Sequence, residues 1–563
     1  MACVVIGLIT AATWWPRISG PIDLRWDGGA YYILGTALAE GKGYRLLSEP
    51  GNIRSTLHPP FLPAFVATHQ LVLKTSDPVV VGRALRLSTA LFSMAYATAI
   101  YLLLSAYIPW IYAFVTAFMA VLQPQYVYFS DSLYAETIFG LLTVLFFIVH
   151  RYSKNTLYFL LCGLCAVLAY EARTAGIALL AAWVADNVLR RDFRRTLIAL
   201  AMSLLPILSW IGWIAAVESS PEYQQPAYAY QTAPYLYFNV SYARNMLTLV
   251  DPSNPQLGPL TERAFMRRVW GNVRAIPISI GQAVSSWVAP PYVSVPLGAL
   301  VFMGLCLQLA RKQYLVLMYV VLSLAAVCLT PFRMQFVRYL LPLYPFFALA
   351  MFQFLTPLVR KSGSRWLVLP TFARSAPVWL VVCVVTVQAL MGLTELYGIE
   401  YHNVAYEQDG RPVKYRLFYY EPVGTAFDEA LDWLKHRAER TDVIAATDPQ
   451  WVYLRTGIKT VLPPFELNGK KAQQLVDTVP VRYLIAETAP QVLGLGAYYR
   501  FTSALLRENP TNWNLVWRSS NDSMAIYERS TMRHAARAPN DSAASARCSE
   551  MNTIGILQND LTR

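Results

Sequence analysis

Charge is the scarcest ingredient of this chain: 14% of its 563 residues are Asp, Glu, Lys or Arg, against 55% hydrophobic. A water-soluble domain carries about a quarter charged residues, so a freely soluble globule is excluded. Acids are scarcer still, 34 against 47 lysines and arginines, leaving a net charge of +13. Basic loops on the cytoplasmic side of a membrane account for that sign more simply than nucleic-acid binding does. The seven cysteines lie mostly inside apolar runs. Cys162 and Cys165 form the one C-x-x-C, with no second pair and no histidine beside it. That excludes a zinc or dithiol centre there and leaves them as small packing residues. Internal repeats and inverted pairs of broken apolar segments, the usual marks of secondary transporters, are also missing.

What the chain has in quantity is long apolar runs. A bilayer core needs roughly 20 apolar residues per helical span, and about eleven runs approach or meet that: 2–15, 79–104, 110–122, 133–149, 157–169, 175–189, 197–217, 293–309, 314–330, 339–358 and 378–396. The first is short, but it has no basic leader and no small-residue cleavage site after Trp14-Trp15-Pro16, so it reads as a span rather than a signal peptide. Placing the N-terminus in the cytoplasm puts Arg151, Lys154, Arg190, Arg191, Arg194, Arg195, Arg311, Lys312, Arg360, Lys361, Arg365 and Arg374 in inner loops. The short outer loops then hold only Arg173, Arg333 and Arg338. The positive-inside rule supports this orientation, and the expected location is the plasma (inner) membrane.

The expected fold class is mainly α: a polytopic membrane helical bundle over 1–397, with a first outer loop at 16–78 and a large one at 218–291. Residues 398–530 change character. A helix near 426–440, a strand at 442–447, a helix at 450–457 and strands at 459–462 and 482–486 predict a small extracytoplasmic α/β domain. A lysine-bearing helix lies between the last two, and strands follow around Trp517 and Ile526. Residues 531–563, rich in Ala, Ser, Asn and Arg without periodicity, read as a disordered tail.

The outer face collects the ionisable residues. Asp27 opens a predicted interfacial helix over 30–39, where an N-cap carboxylate would also be at home. Arg83 and Arg86 open the second span, and Asp131 and Glu136 straddle the outer end of the fourth. Glu171 and Arg173 occupy a tight turn, and Arg333 and Arg338 flank the tenth span. Each taken singly is well explained by local pairing in the headgroup zone. Acids and arginines gathered at one face point instead to a shared site, because ionisable groups at span depth cost a few kcal/mol each and face cavities or each other. Arginines suit a phosphate diester. Carboxylates suit proton abstraction from an attacking hydroxyl and support of an oxocarbenium-like centre.

These residues carry a resemblance. Asp27-x-x-x-Tyr31, Ala37-Leu38-x-x-Gly41-x-Gly43-Tyr44 and His58-Pro59-Pro60 resemble the first outer loop of GT-C fold glycosyltransferases, nearest the bacterial protein-mannosyltransferase and aminoarabinose-transferase-like branch. The stretch ending at Glu136, the turn Arg173-Thr174-Ala175-Gly176, and Arg338-Tyr339-Leu340-Leu341-Pro342 are similar to later motifs of that family. The resemblance implies transfer of a sugar from a polyprenyl-phosphate donor to a lipid, glycan or protein acceptor on the outer face, usually with inversion. It implies Asp27 as the catalytic base with Glu136 and Asp131 as supporting acids. Tyr31, His58, Arg86, Arg173, Arg333 and Arg338 are expected on the substrate. Gly28 stands where many relatives have a second acid, and His58 where some have lysine. With no paired acids at that point, neither a tightly held metal nor any other cofactor is expected. Two other readings use the same chain. A transporter or flippase of a lipid-linked sugar would use the arginines for binding alone, and an anchored α/β domain would leave the spans without chemistry.

Overall fold

The computed structural model describes residues 1–361, 371–398, 405–408, 411–413, 415–420, 422–489 and 498–530; the tail expected at 531–563 lies outside them. Ten helices open the chain: α1 (Ala2–Trp14), α2 (Asp27–Ala39), α3 (Phe61–Leu73), α4 (Pro78–Leu104), α5 (Trp110–Leu122), α6 (Pro124–Asp131), α7 (Glu136–His150), α8 (Thr156–Ala172), α9 (Ile177–Leu189) and α10 (Phe193–Glu218). The large loop carries α11 (Pro221–Gln224), α12 (Tyr242–Thr248) and α13 (Glu262–Val284). Then come α14 (Pro291–Ala310), α15 (Tyr314–Leu329), α16 (Phe336–Leu340), α17 (Tyr344–Lys361) and α18 (Thr371–Tyr397).

All eleven expected apolar runs are helical. Among the described residues, five stretches are long and apolar enough to cross a membrane: Pro78–Leu104, Phe193–Glu218, Pro291–Ala310, Arg333–Pro357 and Ser375–Tyr397. The other runs form shorter apolar helices. Helix ends follow local chemistry: Asp77 accepts the amides of Val79 and Val80 at 2.9 and 2.8 Å to start α4 at Pro78. On α10, Leu197, Leu205, Leu208 and Ile211 all face outward, an apolar exterior suited to lipid. The run expected at 339–358 is broken. Pro342, which lacks an amide proton, sits in a 3₁₀ turn, Leu341–Leu343, between α16 and α17.

The second part of the chain has a hairpin of β1 (Glu407–Gln408) and β2 (Arg411–Pro412), then α19 (Pro422–Arg437), β3 (Val443–Ala445), α20 (Pro449–Thr456), β4 (Lys459–Val461), α21 (Gly469–Val476), β5 (Val481–Glu487), α22 (Tyr498–Glu508), β6 (Trp513–Arg518) and β7 (Met524–Arg529). One five-stranded sheet runs in the order β4-β3-β5-β7-β6. β3 pairs parallel with β4 and β5, while β7 runs antiparallel to β5 and β6.

This domain does not hang from a linker. One apolar core contains Ile22, Leu24, Tyr31, Tyr32 and Leu62 from the first loop together with Leu417, Phe427, Ile444, Trp451, Ile485 and Ile526. α2 is therefore buried almost throughout, from Gly28 to Gly35. It is not the half-exposed interfacial helix its aromatic face suggested, because the α/β domain covers the side that water or lipid would have met.

A second joint forms beside it. The amide of Thr460, on β4, donates to the Ser48 carbonyl at 2.8 Å, and Gln231 Nε2 donates to the Pro50 carbonyl at 2.9 Å. The Tyr228 hydroxyl donates to Glu49 Oε2 at 2.7 Å. Burial pushes the Glu49 carboxyl up to about 7 despite that bond. The folded chain thus holds this proton more tightly than the unfolded chain, so the group stabilises the fold at acid pH. Its contribution fades as pH rises from the ordinary glutamate range through about 7, by about 3 kcal/mol in all. Glu49→Gln is expected to melt higher than the native protein at pH 8 and to flatten the slope of the melting temperature over that window. Equal slopes for the two proteins in detergent micelles would disprove it.

Candidate functional site

Two segments far apart in sequence meet first through their backbones. The amide of Asp23 donates to the carbonyl of Asp131 at 3.1 Å, and the amide of Leu133 donates to the carbonyl of Asp23 at 3.0 Å. This short parallel bridge launches two helices side by side: α2 begins at Asp27 and α7 begins at Glu136. Asp27 is not the N-cap; that position falls to Trp26, and no side chain caps the helix. Its carboxylate turns instead toward an arginine.

That arginine is Arg338, on α16. Its Nη2 meets Asp27 Oδ2 at 2.7 Å and its Nε meets Glu136 Oε1 at 2.5 Å. Arg173, just past the end of α8, places Nη1 at 2.5 Å from the same Glu136 oxygen. The turn that presents it, Thr174–Gly176, folds back so tightly that a Cβ on Gly176 would stand 2.6 Å from the Tyr170 backbone nitrogen. The Arg338 guanidinium lies over the Tyr134 ring at 4.3 Å, and that of Arg173 lies 5.2 Å from the Tyr339 ring. Glu136 is the sealed member of the group, with its side chain 1% exposed and Oε2 unpartnered. Asp27 is 20% exposed and Arg173 18%, so both remain open to solvent.

Burial alone would raise the Asp27 carboxyl, but the facing Arg338 outweighs it and holds the group below the ordinary aspartate range. Asp27 is thus ionised at neutral pH and able to accept a proton. His58 closes one side, its ring 4.5 Å from that of Tyr31. Burial pushes the imidazole down to about 4, so His58 is neutral and offers a hydrogen bond rather than a cation.

The other expected site residues lie elsewhere. Both oxygens of Asp131 are taken, by Arg17 Nε at 3.1 Å and Arg86 Nη2 at 3.3 Å. Arg17 also donates to the Val127 carbonyl and to Ser130 Oγ, each at 2.9 Å, and stacks on Trp14 at 3.9 Å. Arg86 donates to the Arg17 carbonyl. This is a closed staple that joins α1, α4 and α6 and holds the bridge under Asp27. Neither Asp131 nor Arg86 pairs with Asp27, Glu136 or Arg338. Arg333 is exposed and bonded through Nε to Asn272 Oδ1 at 3.2 Å, away from the two acids.

Breaking a buried pair leaves an uncompensated charge, at a cost of about 3–5 kcal/mol. Asp131→Ala leaves Arg17 and Arg86 without their shared carboxylate and is therefore expected to lose about that much stability, read as a lower melting midpoint in detergent. An unchanged midpoint rules out the staple.

No family model matches the chain, and no curated protein resembles it in sequence. Solved structures do resemble it in shape. The oligosaccharyltransferase of Archaeoglobus fulgidus, tethered with an acceptor peptide, superposes with a TM-score of 0.54 at 12% identity, over 94% of this chain and 74% of that one. The same organism's AglB, in complex with an inhibitory peptide and a dolichol-phosphate, gives 0.52 at 12% identity, over 94% and 74%. The chain has the GT-C fold. ArnT from Cupriavidus metallidurans, bound to undecaprenyl phosphate, gives 0.47 at 11% identity, over 93% and 97%.

Within the GT-C fold, four of the expected residues converge: Asp27, Glu136, Arg173 and Arg338, with Tyr31 and His58 beside them. Arg17, Tyr134 and Tyr339 were not singled out from the sequence. Arg17 follows Trp14-Trp15-Pro16 at the end of a span, and that position is the one signal that it is buried.

Proposed function

We propose that the protein is a membrane glycosyltransferase that moves a sugar from a polyprenyl-phosphate-linked donor to an acceptor hydroxyl or amide at the extracytoplasmic face, with inversion. The observation that carries this reading is the cluster in which Asp27, Glu136, Arg338 and Arg173 meet; an apolar groove that begins at Ile177, four residues past Arg173, offers a track for a lipid tail. The track is an open groove of about 570 Å³ lined by apolar side chains of α9 and α10, among them Ile177, Leu180, Val184, Leu204 and Ile207, with Met318. A phosphate held at Arg173 would leave its prenyl chain there.

In this reading the acceptor nucleophile attacks the anomeric carbon and gives its proton to Asp27. The bond from that carbon to the phosphate oxygen breaks, and polyprenyl phosphate leaves with the negative charge that Arg173 and Arg338 stabilise. Glu136 keeps the two guanidiniums in place. AglB was captured with a dolichol-phosphate, and the shared fold supports a donor of that class here. With the expected orientation, a cytoplasmic N-terminus and about eleven spans, the cluster and the α/β domain lie outside the cell.

The test is mass spectrometry of envelope glycolipids and glycoproteins from cells with and without the gene. A product lacking one glycosyl unit in the deletion supports the reading. Identical envelopes, together with protein-dependent movement of lipid-linked sugar across liposomes, would establish a flippase instead.

A further inference from the structure

The α/β domain touches the first loop at one telling place. Asp448 stands three residues past the end of β3 and caps α20, where its Oδ1 accepts the Trp451 amide at 3.3 Å. Its Oδ2 accepts the backbone amide of Trp26 at 3.0 Å, across 422 residues of sequence. Both oxygens are used, and the residue is 6% exposed.

Trp26 needs such an anchor. Its backbone lies at φ 59° and ψ −131°, in a turn closed by the Gly28 amide donating to the Arg25 carbonyl at 3.3 Å. That conformation is one glycine takes freely and tryptophan resists. The residue before it is held from the same side: Arg25 Nη2 donates to the Phe418 carbonyl at 2.7 Å and Nη1 to the Tyr419 carbonyl at 3.2 Å. The residue three after it, Asp27's neighbour but one, is held as well. A Cβ on Gly29 would stand 2.8 Å from the Gln450 Cβ. Asp27 therefore sits in a segment fixed at several points by residues beyond 417.

The topology explains why the contact falls there. From β3 the chain crosses to β4 on one side, then returns past β3 to β5 on the other. The carboxyl ends of two such strands form the crevice in which open α/β sheets ordinarily bind a ligand. Here the mouth of that crevice is given to the first loop of the same chain.

We infer that Asp448 is a positioning residue for Asp27, so that the α/β domain is part of the catalytic unit rather than an appendage. This rests on the reading of Asp27 as the base. A displacement of about 1 Å at a reacting group costs about 10²-fold in rate, and releasing the Trp26 amide frees the turn that aims the carboxylate.

The experiment uses the full chain in liposomes, supplied with lipid-linked donors extracted from the producing cells. Asp448→Ala is expected to lower kcat by about 10²-fold while the apparent donor KM stays within about twofold. Hydrogen exchange is expected to rise in the peptide covering residues 25–29 and in the first turn of α20, which loses its cap, with the sheet of the α/β domain unchanged. Adding Trp26→Gly, which takes the turn without the anchor, recovers a substantial part of kcat. Native kcat in Asp448→Ala, or no recovery by glycine, overturns the inference.

If exchange rises across 422–489 instead, the domain has unfolded and Gly29→Ala decides. It leaves the domain's own residues intact and crowds both Gln450 and the Leu24 carbonyl, 2.8 and 2.9 Å from the new Cβ. The same loss of kcat supports the inference and native kcat refutes it. Asp27→Asn, run in parallel, separates the two claims. If it too retains kcat, the base assignment fails, whereas if it alone loses kcat, only the role of Asp448 falls.

Discussion

On the proposed reading, Asp27→Asn is expected to bind a polyprenyl phosphate such as undecaprenyl phosphate no more weakly than the native protein and to transfer sugar about 10³-fold more slowly or not at all. The amide oxygen of the new side chain can still accept from Arg338 Nη2, which meets Asp27 Oδ2 at 2.7 Å, so the cluster keeps its shape. What disappears is a group that is ionised at neutral pH and positioned to take a proton. Because Arg338 holds the native carboxyl below the usual range, activity should not fall with pH on account of Asp27 until well into the acid region. Binding is measured by titrating undecaprenyl phosphate and transfer by mass spectrometry of the acceptor fraction. Turnover near the native rate would remove Asp27 from the chemistry, whatever else the cluster does.

Arg338→Ala should do more damage, to the fold as well as to the reaction. One guanidinium now serves two carboxylates, through Nη2 to Asp27 and Nε to Glu136. Without it those acids face each other with only Arg173 nearby, and Glu136 is sealed from solvent. A buried charge that loses its partner costs about 3–5 kcal/mol, and the Tyr134 ring loses the cation lying over it. We expect a markedly lower melting midpoint, no transfer, and weakened binding of undecaprenyl phosphate. Arg338→Lys separates charge from shape. A single ammonium cannot reproduce the planar fork that reaches both acids, so stability should partly return while transfer stays below about a tenth of native. Full activity in the lysine variant would show that the fork is not needed.

How much of this was legible in the sequence depends on what each pattern encodes. Apolar runs encode helices, and α5 falls where the run at 110–122 placed it. Hydropathy is blind to a missing amide proton, so the break at Pro342 was lost inside an apolar stretch. α2 differs from the interfacial helix expected over 30–39. Its run from Gly28 to Ala39 is apolar nearly all round, which is the mark of a helix enclosed on every side. The convergence of Asp27, Glu136, Arg173 and Arg338 was readable because each stands at a helix end on the same side of the bundle. Which acid pairs with which arginine was not. Asp131 and Glu136 are five residues apart, yet the first is consumed by Arg17 and Arg86 and the second by Arg338 and Arg173. Pairing depends on how the ends of α1 and α4 lie against α6, and no local pattern records that.

The apolar core shared by the first loop and the α/β domain also sets a timetable for biosynthesis. A ribosome adding roughly 5–20 residues per second needs about 20 to 80 s to travel the 422 residues from Trp26 to Asp448. For that interval Leu24, Tyr31 and Tyr32 have emerged without the partners that will cover them. The nascent loop must be sheltered by the membrane surface or by a chaperone until the last fifth of the protein arrives. A ribosome stalled before that point releases a product with its spans formed and its working end still open.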